Sequence, residues 1–444
     1  MTAVSPDVTG GGATRQLPRV GKRDTRKATV IAFFAWVFAV YDFILFGTLL
    51  PEMTKQFHWS EQRASLISTL ISVGTAVVVL VIGPLVDRMG RRKGMILTVS
   101  GTALASAATA GTVNAGYLVG VRSLGGVGLS EQAVNTTYLN EVFAVTEDEA
   151  IKKRRGFVYS LVQGGWPLGT LLAAAFVAIF LPIVGWRGCF LLATFPAIVI
   201  ALLRRTLKES PQFELEQKLR TLRKEGKSDE ARQLAAEYGV DHSDSAPLAD
   251  IFRGSALRNT IVLSIAWFIN WFGIQVFSVL GTTILTKGKH IGFANSLLLF
   301  IIINAVGYCG YLFHGWAGDK IGRRNVIAFG WILSGIMFAL MLTAAHGTFA
   351  VVAMYSLGMF FLIGPYSAML FYMGECYSTR CRATGASFIN AFSQPGAIAA
   401  GAIITAMLAA GSNWGHSALI VGAIGTIVSG FVMFAARKVD TVEG

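Results

Sequence analysis

The chain has 444 residues, of which 53% are hydrophobic and only 14% charged, with a mean hydropathy of +0.57. A soluble domain carries about 25% charged residues, so this composition excludes a water-soluble globule and fits a membrane protein. The formal net charge is +13, but the basic residues cluster between apolar runs, which reads as membrane topology and contact with anionic lipid and argues against a nucleic-acid role.

Apolar runs of about 20 residues, enough to cross a roughly 30 Å hydrocarbon core, recur twelve times. Runs this long satisfy their backbone in lipid as helices, so the predicted fold is all-α and membrane-spanning. Residues 1–28 are polar, lack the apolar core of a signal peptide and are expected to be a cytoplasmic tail. Span one, 29–51, contains "AWVFAVYDFILFGTLL", in which Asp42 is the single charge. A lone charge at that depth costs on the order of 3 kcal/mol or more, so a partner is expected. Span two, 64–86, leads into "GPLVDRMGRRK" (83–93), and span three covers 94–113. Span four, 116–142, carries Arg122, Glu131 and the closing "YLNE". Counted from the outer ends of their spans, Asp42 lies roughly 13 Å deep and Arg122 roughly 9 Å, which predicts an ion pair facing a central cavity. Glu131 is a second titratable candidate, yet nine residues beyond Arg122 it falls on the opposite side of a straight helix. It therefore reads either as a coupling group, if the intervening glycines bend the helix, or as a helix contact.

Spans five and six cover 156–181 and 188–204, with Ser160, Gln163 and Trp166 at helical spacing in the first. Residues 205–256 are the one long charged stretch and predict short amphipathic helices in a cytoplasmic loop. Span seven, 257–286, offers Trp267, Asn270, Trp271 and Gln275, and span eight, 292–317, offers Asn304 before "GWAGDKIGRRN" (315–325). Span nine is 325–345, and span ten, 348–374, carries Tyr366 and ends in "YMGE". Span eleven, 383–410, offers Ser387, Asn390 and Gln394; span twelve is 414–436, and 437–444 is a tail. With Tyr41 beside Asp42, these polar and aromatic groups are the candidate substrate pocket.

Of 38 Lys and Arg, only Lys55, Arg63, Arg187, Lys287 and Lys289 fall on the side opposite the tails, so the positive-inside rule puts both termini in the cytoplasm and the chain in the inner or plasma membrane. The loops "GPLVDRMGRRK" and "GWAGDKIGRRN" share one pattern at an offset of 232 residues, and "YLNE" and "YMGE" share another at 234. The chain therefore reads as a duplicated six-helix unit, 29–204 and 257–436, joined by 205–256. Glu141 and Glu375 end their spans on the side of Arg88, Arg91, Arg92, Arg155, Arg323, Arg324 and Arg382, with Asp87 and Asp319 in the repeated loops. A salt-bridge cluster that closes the cytoplasmic mouth is the expectation.

On these motifs the chain resembles the major facilitator superfamily over nearly its whole length. The resemblance implies two rigid six-helix bundles rocking about a midplane site. "YD" in span one with "RSLGGVG" in span four resembles the proton-coupling aspartate and arginine of sugar and organic-acid symporters. "RRTLKESPQF" after span six is closer to metabolite:proton symporters, and the end, "RKVDTVEG", lacks the sugar-porter acidic signature. The reading is a monomeric proton symporter importing a small organic acid, its substrate a carboxylate paired to Arg122. A sugar or polyol symporter, a proton-driven exporter and a non-transporting nutrient sensor stay open as alternatives. The four cysteines and six histidines have no metal-ligand spacing, no nucleophile elbow is present, and neither an enzyme nor a cofactor beyond the coupling proton is expected.

Overall fold

A computed structural model describes residues 15–153, 155–238, 247–377 and 382–438. In chain order the helices of the first half are α1 (Lys22–Gln56), α2 (Glu61–Met89), α3 (Arg91–Ala110), α4 (Ala115–Gly125), α5 (Ser130–Ala144), α6 (Glu149–Lys153), α7 (Arg155–Gln163) and α8 (Gly165–Arg204). The central segment forms α9 (Pro211–Lys224), α10 (Ser228–Glu237) and α11 (Pro247–Asp250). The second half has α12 (Gly254–Gly273), α13 (Gly281–Thr283), α14 (Phe293–Ile321), α15 (Arg323–Thr343), α16 (Gly347–Ile363), α17 (Tyr366–Glu375), α18 (Arg382–Asn390), α19 (Ser393–Ala409), α20 (Trp414–Ser417) and α21 (Gly425–Met433). Among the described residues nine helical stretches are long and apolar enough to cross a membrane.

One of them, α8, is a hairpin. Gly165 abuts Trp36 and Phe176 packs on Tyr41, so its first part runs parallel to α1. Arg187 donates to the Ala110 carbonyl at the end of α3 and Arg204 to the Met95 carbonyl near its start, so its second part runs antiparallel to α3. Since α1 and α3 are themselves parallel, with Ala35 near Val99 and Asp42 meeting Ser106, the chain reverses within α8. Gly185, at φ 65°, is the point of reversal.

The duplication is visible in the backbone. Gly90, between α2 and α3, has φ 101°, and its equivalent Gly322, between α14 and α15, has φ 90°, a left-handed region that favours glycine. The two halves meet at the end away from these loops. There Thr282 donates to the carbonyls of Gly47 and Thr48 at 3.3 Å, Ser65 and Thr405 share a 2.8 Å hydrogen bond, and Lys287 pairs with Glu61. Gly47 is required there, because a Cβ would stand 2.1 Å from the Val279 carbonyl oxygen.

At the opposite, basic end the first half is clasped by its own flanking segments. Leu17 packs with Leu215, Leu219, Ala231 and Ala235 of α9 and α10, which form a small hydrophobic cluster of their own. The backbone of Arg15 donates to the Glu237 carbonyl, Val20 bridges to Thr146, and Arg26 pairs with Asp148 at 2.7 Å. The Arg26 guanidinium holds the Asp148 carboxyl below its usual range.

Candidate functional site

Between the two halves lies a cavity of about 470 Å³ that extends to Arg91 at the basic end. Its inner wall is aromatic. Trp166 of α8 meets Trp271 of α12 edge to face at 6.0 Å, Trp36 of α1 lies 6.1 Å from Trp166, and Trp267 of α12 lies 4.7 Å from Tyr366 of α17. Neutral amides complete it: Gln132 donates to Gln163 at 3.0 Å, while Asn390 and Gln394 face them from the second half. The indole N–H groups of Trp267 and Trp271 and the hydroxyl of Ser130 are buried without a hydrogen-bond partner among the described residues. A buried donor left unpaired costs about 1–3 kcal/mol, and these three atoms are closed off from the cavity. Arg91 is the charged side chain that lines this cavity among the described residues.

The side chain of Ser160 lies outside the described residues, and eight of the other sequence candidates line the cavity: Gln163, Trp166, Trp267, Trp271, Tyr366, Ser387, Asn390 and Gln394. Four stand off it. Tyr41 is buried against Phe38 and Phe176 inside the first half. Asn270 sits behind the wall, accepting the Tyr366 hydroxyl at 2.7 Å. Asn304 turns back on its own helix to the Phe300 carbonyl at 2.8 Å. Gln275 crosses to Ser68 at 3.4 Å and borders a separate void of about 20 Å³, room for about one water, which Arg122 also lines. Helical spacing identifies polar residues that turn inward but not which neighbour they meet.

Asp42 and Arg122 touch, at 3.3 Å, and each is only 4% exposed. Ser106 of α3 donates to the same carboxylate, Arg122 also donates to the Asp42 carbonyl at 2.9 Å, and its guanidinium lies 5.5 Å over the Phe190 ring. The pair faces the interior of the first half and does not line the 470 Å³ cavity, which corrects the expected orientation. Arg122 borders the small void shared with Gln275.

Glu131 is fully buried and held by Arg204, which donates to both carboxylate oxygens, and by Thr98 at 2.7 Å. The glycine-rich stretch Gly126–Leu129 is a 3₁₀ turn between α4 and α5, and the tighter winding brings Glu131 round to α3. Both pairs thus rest on α3, at Ser106 and Thr98, eight residues or about 12 Å apart. Thr98, Thr102, Ser106 and Thr109 form a buried polar stripe that joins the two pairs and runs one turn beyond Ser106.

At the basic end Arg91 pairs with Glu141 at 3.0 Å, and Ser210 also donates to Glu141. In the second half Arg323 pairs with Asp319 at 2.8 Å and with Glu375. Arg92 and Arg324 donate to carbonyls at the ends of the last helices of their own halves, those of Arg205 and Ala436. These interactions lie within each half, whereas a closed mouth would need bridges across. Arg88 is exposed, and the side chains of Asp87, Arg155 and Arg382 lie outside the described residues. Burial pushes the Glu209 carboxyl up, and the backbone N–H groups of Arg92, Ser210 and Arg91 partly hold it down.

The sequence model described as Major Facilitator Superfamily matches residues 32–314. The chain belongs to the Major Facilitator Superfamily. It is a multi-pass membrane transporter, not an enzyme. Among its superfamily relatives, a niacin transporter of Acinetobacter baylyi is 25% identical across 84% of this chain and 85% of its own length. A gentisate transporter of Corynebacterium glutamicum is 26% identical across 71% and 66%. The fold matches the crystal structure of a D-xylose-proton symporter with a TM-score of 0.68 at 17% identity, covering 93% of this chain and 98% of that one.

Several partners in this superfamily member escape sequence reasoning. Arg204 counts there as one more basic residue ahead of the central loop, and its partner lies 73 residues away. Trp36, Gln132 and Tyr311 also line the cavity without having stood out, because aromatic and amide residues are common in these spans. The stripe on α3 did carry a signal, since Thr98, Thr102, Ser106 and Thr109 recur at helical spacing.

Proposed function

We propose that the chain is a proton-coupled symporter that imports a small aromatic or related organic acid through the inner membrane by alternating access. Twelve spans in two six-helix bundles, 29–204 and 257–436, with both termini in the cytoplasm, are part of this reading. The hairpin at Gly185 supports it by resolving one long apolar stretch into two crossings. The observation that carries the substrate class is the cavity wall of Trp36, Trp166, Trp267, Trp271 and Tyr366. Its volume of about 470 Å³ is within the usual range for small-molecule sites. Stacked and edge-on rings favour a planar aromatic body, and niacin and gentisate, named for two relatives, are aromatic carboxylates. Among the described residues no cation lies midway along the wall, so the carboxylate is met by neutral donors, the Asn390 and Gln394 amides.

Coupling belongs to Asp42, with Glu131 as a second buried carboxylate on the same polar stripe. Protonating Asp42 removes its charge attraction for the Arg122 guanidinium, while the Arg122 bond to the Asp42 carbonyl keeps that side chain anchored to α1. The loosened arm borders Gln275, which lies in the π-helical stretch Ile274–Val279 that continues α12 beyond Gly273. Charge state in the first half is thereby felt at the cavity wall of the second. The duplicated clusters at Arg91–Glu141 and Arg323–Glu375 hold each half rigid while the halves rock, and the cavity reaching the basic end corresponds to an inward-open state.

The test is external pH in a lightly buffered suspension of de-energised vesicles containing the protein, with niacin, gentisate, sugars and amines added one at a time. Alkalinisation with an aromatic acid, absent in Asp42→Asn although substrate counterflow persists, is expected. Acidification, a response to sugars alone, or unchanged alkalinisation in Asp42→Asn would overturn the reading.

A further inference from the structure

A second cavity, of about 620 Å³, lies at the basic end of the C-terminal half, where the starts of α12 and α15 meet the end of α21. Arg258, Arg324, Arg437 and Lys438 line it, with Asn259 and Phe434, and no carboxylate lines it among the described residues. Four cations around one hollow repel each other unless an anion joins them.

The internal duplication supplies a comparison. Arg92 and Arg324 are equivalent, and so are Tyr138 and Tyr372. In the first half Arg92 donates to the Arg205 carbonyl at 2.9 Å and Tyr138 to the Lys208 carbonyl at 3.0 Å. In the second half Arg324 donates to the Ala436 carbonyl at 3.3 Å and Tyr372 to the Arg437 carbonyl. The two sites share one scaffold, a repeated Arg and a repeated Tyr capping the last helix of their half. They differ in their anion. In the first half Glu209 places both carboxylate oxygens on the backbone N–H of Arg92, at 3.1 and 3.2 Å, so the first turn of α3 holds a negative charge. The matching turn of α15 has no carboxylate on Arg324 among the described residues.

We propose that the cavity between α12, α15 and α21 binds the phosphate headgroup of an anionic phospholipid. The headgroup takes the place that Glu209 fills in the first half. The choice of a lipid over free phosphate rests on the surface next to the cavity. Leu257, Phe329 and Phe431 are exposed apolar side chains on the same three helices, and Phe329 stacks edge to face on Phe434 at 5.3 Å. A phosphate seated among the cations therefore has an acyl-chain path beside it. Basic pockets between helices on the cytoplasmic side are suited to such headgroups. The site is independent of the transported substrate and requires only that the basic end face the anionic leaflet.

Native mass spectrometry of the delipidated full-length protein tests it, with phosphatidylglycerol as probe against phosphatidylcholine and inorganic phosphate. One phosphatidylglycerol per chain, weakened tenfold or more in Arg258→Gln/Lys438→Gln, is expected. Its binding to the wild-type protein should also fall steeply with salt, a measurement that needs no variant. Equal binding in the double variant, equal binding of phosphatidylcholine, or insensitivity to salt would overturn the proposal. Inorganic phosphate that binds as tightly as the lipid would reassign the anion to a free ion. Binding that arises only in Asp440→Asn/Glu443→Gln would reassign it to the chain's own C-terminal carboxylates.

Discussion

Arg204 and Glu131 are each fully buried, and their charges are tolerable only together. Arg204→Gln should therefore cost about 3–5 kcal/mol, because it leaves the Glu131 carboxylate enclosed without its cation. Glu131→Gln/Arg204→Gln should lose much less than the sum of the two single changes, the mark of a coupled pair. Thermal unfolding in detergent measures both; additive losses would mean that the residues act separately. Lys208→Gln, which removes an exposed partner of Asp24, should leave the unfolding midpoint close to wild type. At this scale the sequence was half legible. Asp42 demanded a partner and matched depth pointed to Arg122, which it does contact. Arg204 gave no such demand, because a basic residue next to Arg205 at a helix end already has an adequate reason in topology.

The repeated elements are equal in sequence and unequal in setting. Arg91 and Glu141 are 9% and 7% exposed, roofed by Ser210 and the Phe213 ring, whereas Glu375 is 38% exposed. Glu141→Gln should thus destabilise by about 3 kcal/mol, and Glu375→Gln by less than about 1 kcal/mol. Unfolding midpoints of the two variants, compared side by side, check this; equal shifts would show that motif identity outweighs burial. The helical, membrane-crossing character of these elements was legible because lipid leaves few options for a 20-residue apolar run. Their faces were not. Tyr41 and Asn304 lie on the right helices but turn to their own half, since the contact between halves is fixed by close approaches such as Gly47 to Val279, which no periodicity encodes.

Over the whole molecule, the halves touch along α2 and α19 and along α8 and α14, with further contact between α7 and α17, and the cavity lies between them, so the aromatic wall is built from both. Its members had to come from separate spans, and sequence spacing could nominate them without joining them. The clasp at the basic end has a further consequence, for synthesis. Leu17, Arg15, Val20 and Arg26 close on α9, α10 and the loop at 145–148, and every one of these partners precedes residue 239. At about 5–20 residues per second, the ribosome needs roughly ten seconds or more to make the remaining chain. The first half can therefore lock its own ends before the second exists to receive it. A chain stopped after residue 238 should resist protease within 211–237 as the full-length protein does in membranes. Rapid cleavage there would mean that the clasp waits for the second half, and that the transporter is completed as one unit instead of in two stages.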